Sequence, residues 1–317
     1  MLSSVANPPY SLKIPRFLIT GATGQVGFEL RRALAPLGEI IACGSRECDL
    51  SDATAIRRTV REVQPHVIVN AAAYTAVDKA ESQPDLARAV NATAPGLLGE
   101  QAVACGALVV HYSTDYVFDG KKAGPYTETD QPRPLGLYGQ TKLEGEQALA
   151  SSGARYLIFR TSWVFGHHGK NFIKTILRLA SEQTELRIVA DQRGAPTGSA
   201  LLADATAHIA ASFLRGGGGG GGEAFPLGLY HLTASGETSW HELARHVVQR
   251  ALDAGKPLAA TPAAILPIPS AEYATPAVRP LNSLLETRKL RETFSLNLPD
   301  WRAGVDHMLD AILAPGR

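Results

Sequence analysis

Short apolar runs alternate with longer amphipathic stretches over the first half of the chain. The runs are Arg16–Thr20, Glu39–Cys43, His66–Asn70, Ala107–Ser113 and Arg155–Thr161. They are rich in Val, Ile and Leu with little polar alternation, the pattern of strands covered on both faces. Between them, Gln25–Leu37, Asp52–Val63, Asp85–Cys105 and Tyr138–Ala150 carry apolar residues at helical spacing, and Asp52 and Asp85 stand where N-caps are expected. Strand–helix alternation of this length predicts an α/β fold with a doubly wound parallel sheet.

The later chain is less regular. Helices are expected over Asn171–Ala180, Ala200–Leu214 and Ser239–Leu252, strands over Leu186–Ala190 and Gly228–Leu232, and two helical segments at the end. Seven consecutive glycines, Gly216–Gly222, cannot hold one conformation cheaply and read as a flexible link. No Lys-Ser/Thr signature adjoins them, so a phosphate-cradling loop is not indicated. Three parts follow. Residues 1–15 form a loose extension. Residues 16–165 form mainly a Rossmann-like dinucleotide-binding core. Residues 166–317 form mainly a smaller C-terminal substrate-binding lobe, with some chain returning to the core.

Composition narrows the function classes. Lys and Arg number 31 and Asp and Glu 30, a balance that argues against nucleic acid or a membrane surface as a partner. No run approaches the ~20 consecutive apolar residues of a membrane span, and the first fifteen residues do not read as a signal peptide. Three cysteines, Cys43, Cys48 and Cys105, cannot all pair and are read as reduced thiols of a cytoplasmic protein. Their spacing is not that of a zinc site, so no metal is expected there. His167 and His168, adjacent on a loop, and Asp78, Lys79 and Glu81 read as solvated surface.

Two motifs carry chemistry. Gly21-Ala-Thr-Gly24-Gln-Val-Gly27 follows the first strand and opens a helix. Glycines there allow a tight turn and let backbone N–H groups approach a pyrophosphate at the helix N-terminus. Tyr138 and Lys142 are four apart on a helix and share a face. A free tyrosine, with pKa ~10, is a poor acid–base group at neutral pH, and a nearby ammonium would lower it. Ser113-Thr114-Asp115 ends the fourth strand, where doubly wound folds gather their ligands.

In this order and spacing the motifs resemble the extended short-chain dehydrogenase/reductase superfamily. Longer stretches are similar to the dTDP-4-dehydrorhamnose reductases within it: 70–81, 111–120, 137–146, Arg160-Thr-Ser-Trp-Val-Phe165, 191–198 and Arg279-Pro-Leu-Asn-Ser283. The resemblance implies reduction of the C4 ketone of dTDP-4-dehydro-L-rhamnose, a nucleotide-sugar substrate, to dTDP-L-rhamnose. It implies Tyr138 as proton donor, Lys142 on the nicotinamide ribose and tuning Tyr138, and Thr114 polarising the carbonyl. Thr114, Asp115 and Trp163 match substrate-contacting positions, with Val77 and Tyr116 as neighbours. Gly21, Gly24, Gln25, Val26 and Gly27 would meet the pyrophosphate. Asp49 and Leu50 would border the adenine, and Ala72, Ala73, Tyr74 and Thr75 would line the cofactor cleft.

Departures matter as much. Relatives commonly carry an acidic residue at the end of the second strand for the ribose 2′-hydroxyl. Here the chain reads Cys43-Gly44-Ser45-Arg46. Without that carboxylate, Ser45 and Arg46 are expected to take a 2′-phosphate, so NADPH is the expected cofactor, with NADH also accepted. Some relatives gather magnesium at a dimer interface. Glu29 matches one such position, but Ala200 stands where another acid is expected and Thr287-Arg288 does not match. No metal is expected there either, and a homodimer stays open. Two rivals remain. A dehydratase or epimerase of the same superfamily would usually carry an acid pair after Thr114, where this chain has Asp115-Tyr116. A non-catalytic binding subunit would not need Thr114, Tyr138 and Lys142 intact.

Overall fold

The structure, a computed structural model, describes residues 14–216 and 224–314. Most of the expected N-terminal extension, and the glycine run beyond Gly216, lie outside the described residues. Five strands form where the apolar runs predict them: β1 (Arg16–Thr20), β2 (Glu39–Cys43), β3 (Val67–Asn70), β4 (Leu108–Thr114) and β5 (Arg155–Thr161). A sixth, Gly228–His231, pairs with the outer edge of β5. All pairings are parallel, in the order Gly228–His231, β5, β4, β3, β1, β2. Every residue of β3 and β4 is buried, as strands with helices on both faces require.

The order reverses beside β1, because β2 lies on one side of it and β3 on the other. The connecting loops part there, leaving a crevice outside the carboxyl ends of the strands. Register aligns Thr20, Asn70 and His111 in one row across β1, β3 and β4.

Helix α1 (Gln25–Leu34) and α2 (Ala53–Val63) follow the first two strands. Asp52 caps α2 as expected, its carboxylate accepting from Thr54 N at 2.8 Å. Asp85 does not cap. It lies in the first turn of a short helix, Pro84–Arg88, whose N-cap is Gln83, because Pro84 takes the first helical position. The long helix expected from Asp85 is also interrupted by a π-helical turn, Ala89–Thr93, before it resumes as Ala94–Cys105. That turn turns Asn91 inward, where it accepts from Tyr74 N (2.8 Å) and donates to Tyr74 O (3.1 Å) and Thr141 Oγ1 (3.2 Å).

Apolar side chains pack on both sheet faces. One face buries Leu18, Ile68 and Val109 against Ile56, Leu98 and Leu149. The other buries Phe17, Val67, Val110 and Leu157 against Leu202, Ile209, Leu290 and Phe294. The last four come from beyond residue 166, so the later chain does return to the sheet. A separate cluster joins Ile173, Ile176, Leu243, Val247, Trp301 and Leu309. Its helix Trp240–Asp253 opens with a capping box in which Ser239 and Glu242 satisfy each other's backbone N–H groups. Among the described residues, no helix is long and apolar enough to cross a membrane.

Candidate active site

A cleft of about 660 Å³ opens at the carboxyl ends of β1 to β5. The glycine turn forms one wall. Gly21 has φ +70°, and a Cβ there would come within 2.6 Å of Ala72 N, so no side chain fits. At Gly27 a Cβ would lie 2.1 Å from Gly21 O, so Gly27 sits behind the turn and lets α1 press against it. Gly24 is the N-cap of α1 and supplies no side-chain cap, so the helix's first N–H groups are not taken by one.

Seventeen of the residues expected from the sequence line this single cleft: Gly21, Gly24, Gln25, Val26, Ser45, Asp49, Leu50, Ala72, Ala73, Thr75, Val77, Thr114, Asp115, Tyr116, Tyr138, Lys142 and Trp163. Three do not. Gly27 is behind the turn, Tyr74 turns its hydroxyl to Gln83 Oε1 at 2.7 Å, and Arg46 is exposed outside the lining. Thr23, Gly44, Ser113, Thr161 and Ser162 line the cleft and were not expected. Thr161 and Ser162 sit at and just past the end of β5, so the strand-end rule applied to that strand would have found them.

Tyr138 and Lys142 are on the helix Leu137–Ser151. Its Gly136 N-cap has no side chain, and Glu81 supplies the cap instead, accepting from Leu137 N at 2.8 Å. Glu81, exposed as expected of a solvated face, is therefore also engaged by the backbone. So is Asp78, which accepts from Ala277 N at 3.1 Å and pairs with Arg279 at 2.8 Å. Burial pushes Tyr138 up to about 12, the Thr114 hydroxyl pulling it back and Asp115 adding to the rise. At neutral pH it therefore keeps its proton. The ring of Tyr116 stands edge-on to that of Tyr138, 5.5 Å between centroids.

Lys142 is fully buried, and burial lowers it to about 8, with Glu146 opposing. Its Nζ donates to Tyr112 O at 2.6 Å and lies 3.2 Å from His111 Nε2. The row set by the sheet register continues the chain: His111 Nδ1 is 3.0 Å from one end of the Asn70 side-chain amide, and Thr20 Oγ1 is 2.7 Å from the other. Burial and the neighbouring ammonium hold His111 well below the usual imidazole range. It is neutral and accepts from a charged Lys142 at Nε2, which puts its one proton on Nδ1 and requires the Asn70 amide to turn its oxygen, not its nitrogen, toward the ring. The ammonium is thus turned toward β4. Tyr138 is raised rather than lowered, because burial of the phenol dominates and Lys142 is not among the groups that shift it.

One turn beyond Lys142, Glu146 accepts from Arg160 Nε (2.8 Å), Arg160 Nη2 (2.6 Å) and Ser113 Oγ (2.5 Å). Both charges are buried, so this forked pair ties the helix to β4 and β5. In contrast, Asp115 Oδ2, Thr161 Oγ1 and Ser162 Oγ are buried at the cleft with no hydrogen-bond partner. Burial raises Asp115 to about 6, with Ser283 and Thr114 opposing. Such groups are uncommon in a finished core and mark where a ligand's polar atoms fit.

Trp163 has φ +49°, a costly conformation for a bulky residue. Trp240 holds it there, stacked at 3.6 Å, and a Cβ on Gly194 would meet the indole at 2.5 Å. A second cavity of about 740 Å³ adjoins at Tyr116, lined among others by Phe172, Arg187, Trp240, Tyr273 and Arg279. Glu29 is engaged by Arg32 at 3.1 Å, and Arg32 also reaches Asp204 at 2.8 Å. Among the described residues, no group of three or more His, Cys, Asp or Glu is placed to hold a metal ion.

Comparison with known proteins agrees with this geometry. The family model described as RmlD substrate binding domain matches residues 15–314. The dTDP-4-dehydrorhamnose reductase of Burkholderia thailandensis is 49% identical over 292 residues, 92% of this chain and 96% of that protein. The enzyme of the same name from Escherichia coli is 49% identical over 303 residues, 93% of this chain and 97% of that protein. The crystal structure of dTDP-4-dehydrorhamnose reductase from Bacillus anthracis in complex with NADP superposes with a TM-score of 0.83 at 32% identity, covering 94% of this chain and 99% of that one. The chain belongs to the RmlD substrate-binding-domain family.

Proposed function

We propose that this protein reduces the C4 ketone of dTDP-4-dehydro-L-rhamnose to give dTDP-L-rhamnose, with NADPH as reductant. The observation that carries the reading is the convergence of Thr114, Tyr138 and Lys142 in one cleft beside the glycine turn. The near full-length likeness to reductases of that name supports it.

The residues fit a dinucleotide. The glycine wall admits no side chain, so a pyrophosphate can approach the backbone of Gly24, Gln25 and Val26 at the α1 N-terminus. Asp49 and Leu50 border the adenine end of the cleft, while Ala72, Ala73 and Thr75 line its middle. Bound there, NADPH supplies the hydride. Tyr138 holds the proton that the C4 oxygen needs, because burial keeps the phenol neutral. Thr114 hydrogen-bonds the same oxygen and fixes it against the phenol. Lys142, tethered to Tyr112 O and His111, presents its remaining N–H direction to the nicotinamide ribose. Asp115, Tyr116, Val77 and Trp163 surround the sugar.

The second cavity takes the nucleotide. Its arginines, Arg187 and Arg279, each held by one carboxylate (Glu272 and Asp78), keep further N–H groups that suit a diphosphate, and Phe172, Trp240 and Tyr273 suit a flat base. The cluster of apolar residues beneath it is the core of the substrate lobe. Elimination of water is disfavoured, because Tyr116 stands where a dehydratase would place a second acid and burial pushes its phenol up. All groups named lie on one chain, so a homodimer would pair two complete sites.

The test is to supply NADPH with dTDP-4-dehydro-L-rhamnose, then with other 4-keto nucleotide sugars, and follow nicotinamide absorbance. One NADPH should be consumed per rhamnose product, fastest with the first substrate. Consumption only with a different sugar, or none at all, would overturn the reading.

A further inference from the structure

Gly44 stands at the end of β2, where an acidic side chain would accept the ribose 2′-hydroxyl of NADH and repel the 2′-phosphate of NADPH. The sequence there suggests that no carboxylate is present. A carboxylate nevertheless reaches this strand end from three residues on, from an exposed residue just outside the cleft lining. Glu47 folds toward the strand end, and its Oε2 accepts from Gly44 N at 2.8 Å. The loop between them is closed by a second bond, from Cys48 N to Gly44 O at 3.0 Å. Gly44 is what makes room: a Cβ there would lie 3.1 Å from Glu47 Oε2 and 3.3 Å from the Thr23 methyl. Gly44, Ser45 and Thr23 all line the cleft.

We propose that Glu47 sets the choice between NADPH and NADH, on the reading that this cleft holds a dinucleotide. A backbone N–H at a strand end, facing a ligand cleft, is an anion contact. Glu47 occupies it from within the chain. The ribose hydroxyl of NADH can donate to that carboxylate and leave it in place. The phosphate of NADPH must displace it to reach Gly44 N, or lie against it as a like charge. Arg46, exposed on the same turn, pulls the other way by attracting the phosphate. The two side chains oppose each other, and the balance admits both cofactors. Neutralising Glu47 leaves Arg46 unopposed.

A simpler role for Glu47 is to close its own turn, and two variants separate the roles. Glu47→Gln keeps an oxygen for Gly44 N and removes the charge, whereas Glu47→Ala removes both. The measurement is direct titration of wild type and both variants with NADPH and with NADH, read by nicotinamide fluorescence without any sugar substrate. NADPH should bind about tenfold tighter in both variants, the scale of one unit charge near a surface in salt. NADH should not gain, and in Glu47→Ala should weaken. Parallel changes for the two cofactors, or none, would overturn the proposal alone. Binding of neither cofactor by wild type would overturn the dinucleotide reading and the proposal with it.

Discussion

The two cavities that meet at Tyr116 are built on opposite plans. On the cleft side, the polar groups beneath the reacting centre are buried and already bonded to one another. Lys142, His111, Asn70 and Thr20 form one chain, and Glu146, Arg160 and Ser113 a second. On the other side, the walls include large apolar groups open to solvent: Tyr273 is 61% exposed, Val278 62% and Leu281 50%. The first arrangement holds the proposed catalytic groups in place before anything binds, which lowers the reorganisation needed at reaction. The second leaves surface for a ligand to cover, which contributes affinity. Substitutions in the cleft should therefore act on kcat, and substitutions in the second cavity on KM for the sugar nucleotide.

The largest effect should come from Tyr138→Phe. Removing the proton donor should lower kcat by ~10²–10⁴-fold. Thermal stability and NADPH affinity should change little, because the hydroxyl serves neither. Near wild-type turnover would remove Tyr138 from the mechanism.

His111 should come next. His111→Leu takes from Lys142 a buried acceptor, a loss of ~1–3 kcal/mol, or about five- to 150-fold in kcat/KM. His111→Gln can still offer an acceptor and should recover most of it. If the two variants behave alike, the imidazole is packing and does not position the lysine.

On the other side of Tyr116, Tyr273→Ala should raise KM for the sugar nucleotide about three- to tenfold, the scale of one aromatic contact. Its kcat and its NADPH affinity should stay near wild type. A fall in kcat with unchanged KM would erase the contrast between the cavities.

The smallest effect is in pH. Lys142 is lowered to about 8 by burial, so its ammonium is present below that pH and is lost above it. His111 stays neutral across this range. The rate should be halved near pH 8 and continue down, with no matching loss of fold. A flat profile to well above that pH would mean the charge on Lys142 is not needed.

The same contrast explains what was legible in the sequence. The cleft is assembled from regular βα junctions, and each contributes at a predictable place. The glycine turn follows β1, Thr114 ends β4, and helical spacing sets Tyr138 and Lys142. Their burial then follows from the parallel sheet. The row of Thr20, Asn70 and His111 was not seen, since it depends on the register of three strands. Glu81 and Glu47 were missed for a related reason. Each reaches a backbone N–H across a loop, a contact that leaves no periodicity. Asn91 was hidden by a π turn within a stretch that reads as continuous helix. The second cavity draws on short strands and irregular segments between Phe172 and Leu281, where no motif marks a site. Trp163 was legible, but its support by Trp240 and Gly194 was not.

The central claim is direct reduction at the sugar's C4, and one labelling measurement tests it most closely. Wild type would be given NADPH deuterated at nicotinamide C4, on the face that is transferred, together with dTDP-4-dehydro-L-rhamnose in ordinary water. The product would be analysed by NMR. The account predicts one deuterium at C4 of the rhamnose ring, with the hydroxyl proton drawn from solvent by way of Tyr138. Deuterium at another carbon, or a C4 hydrogen that comes from water, would contradict it.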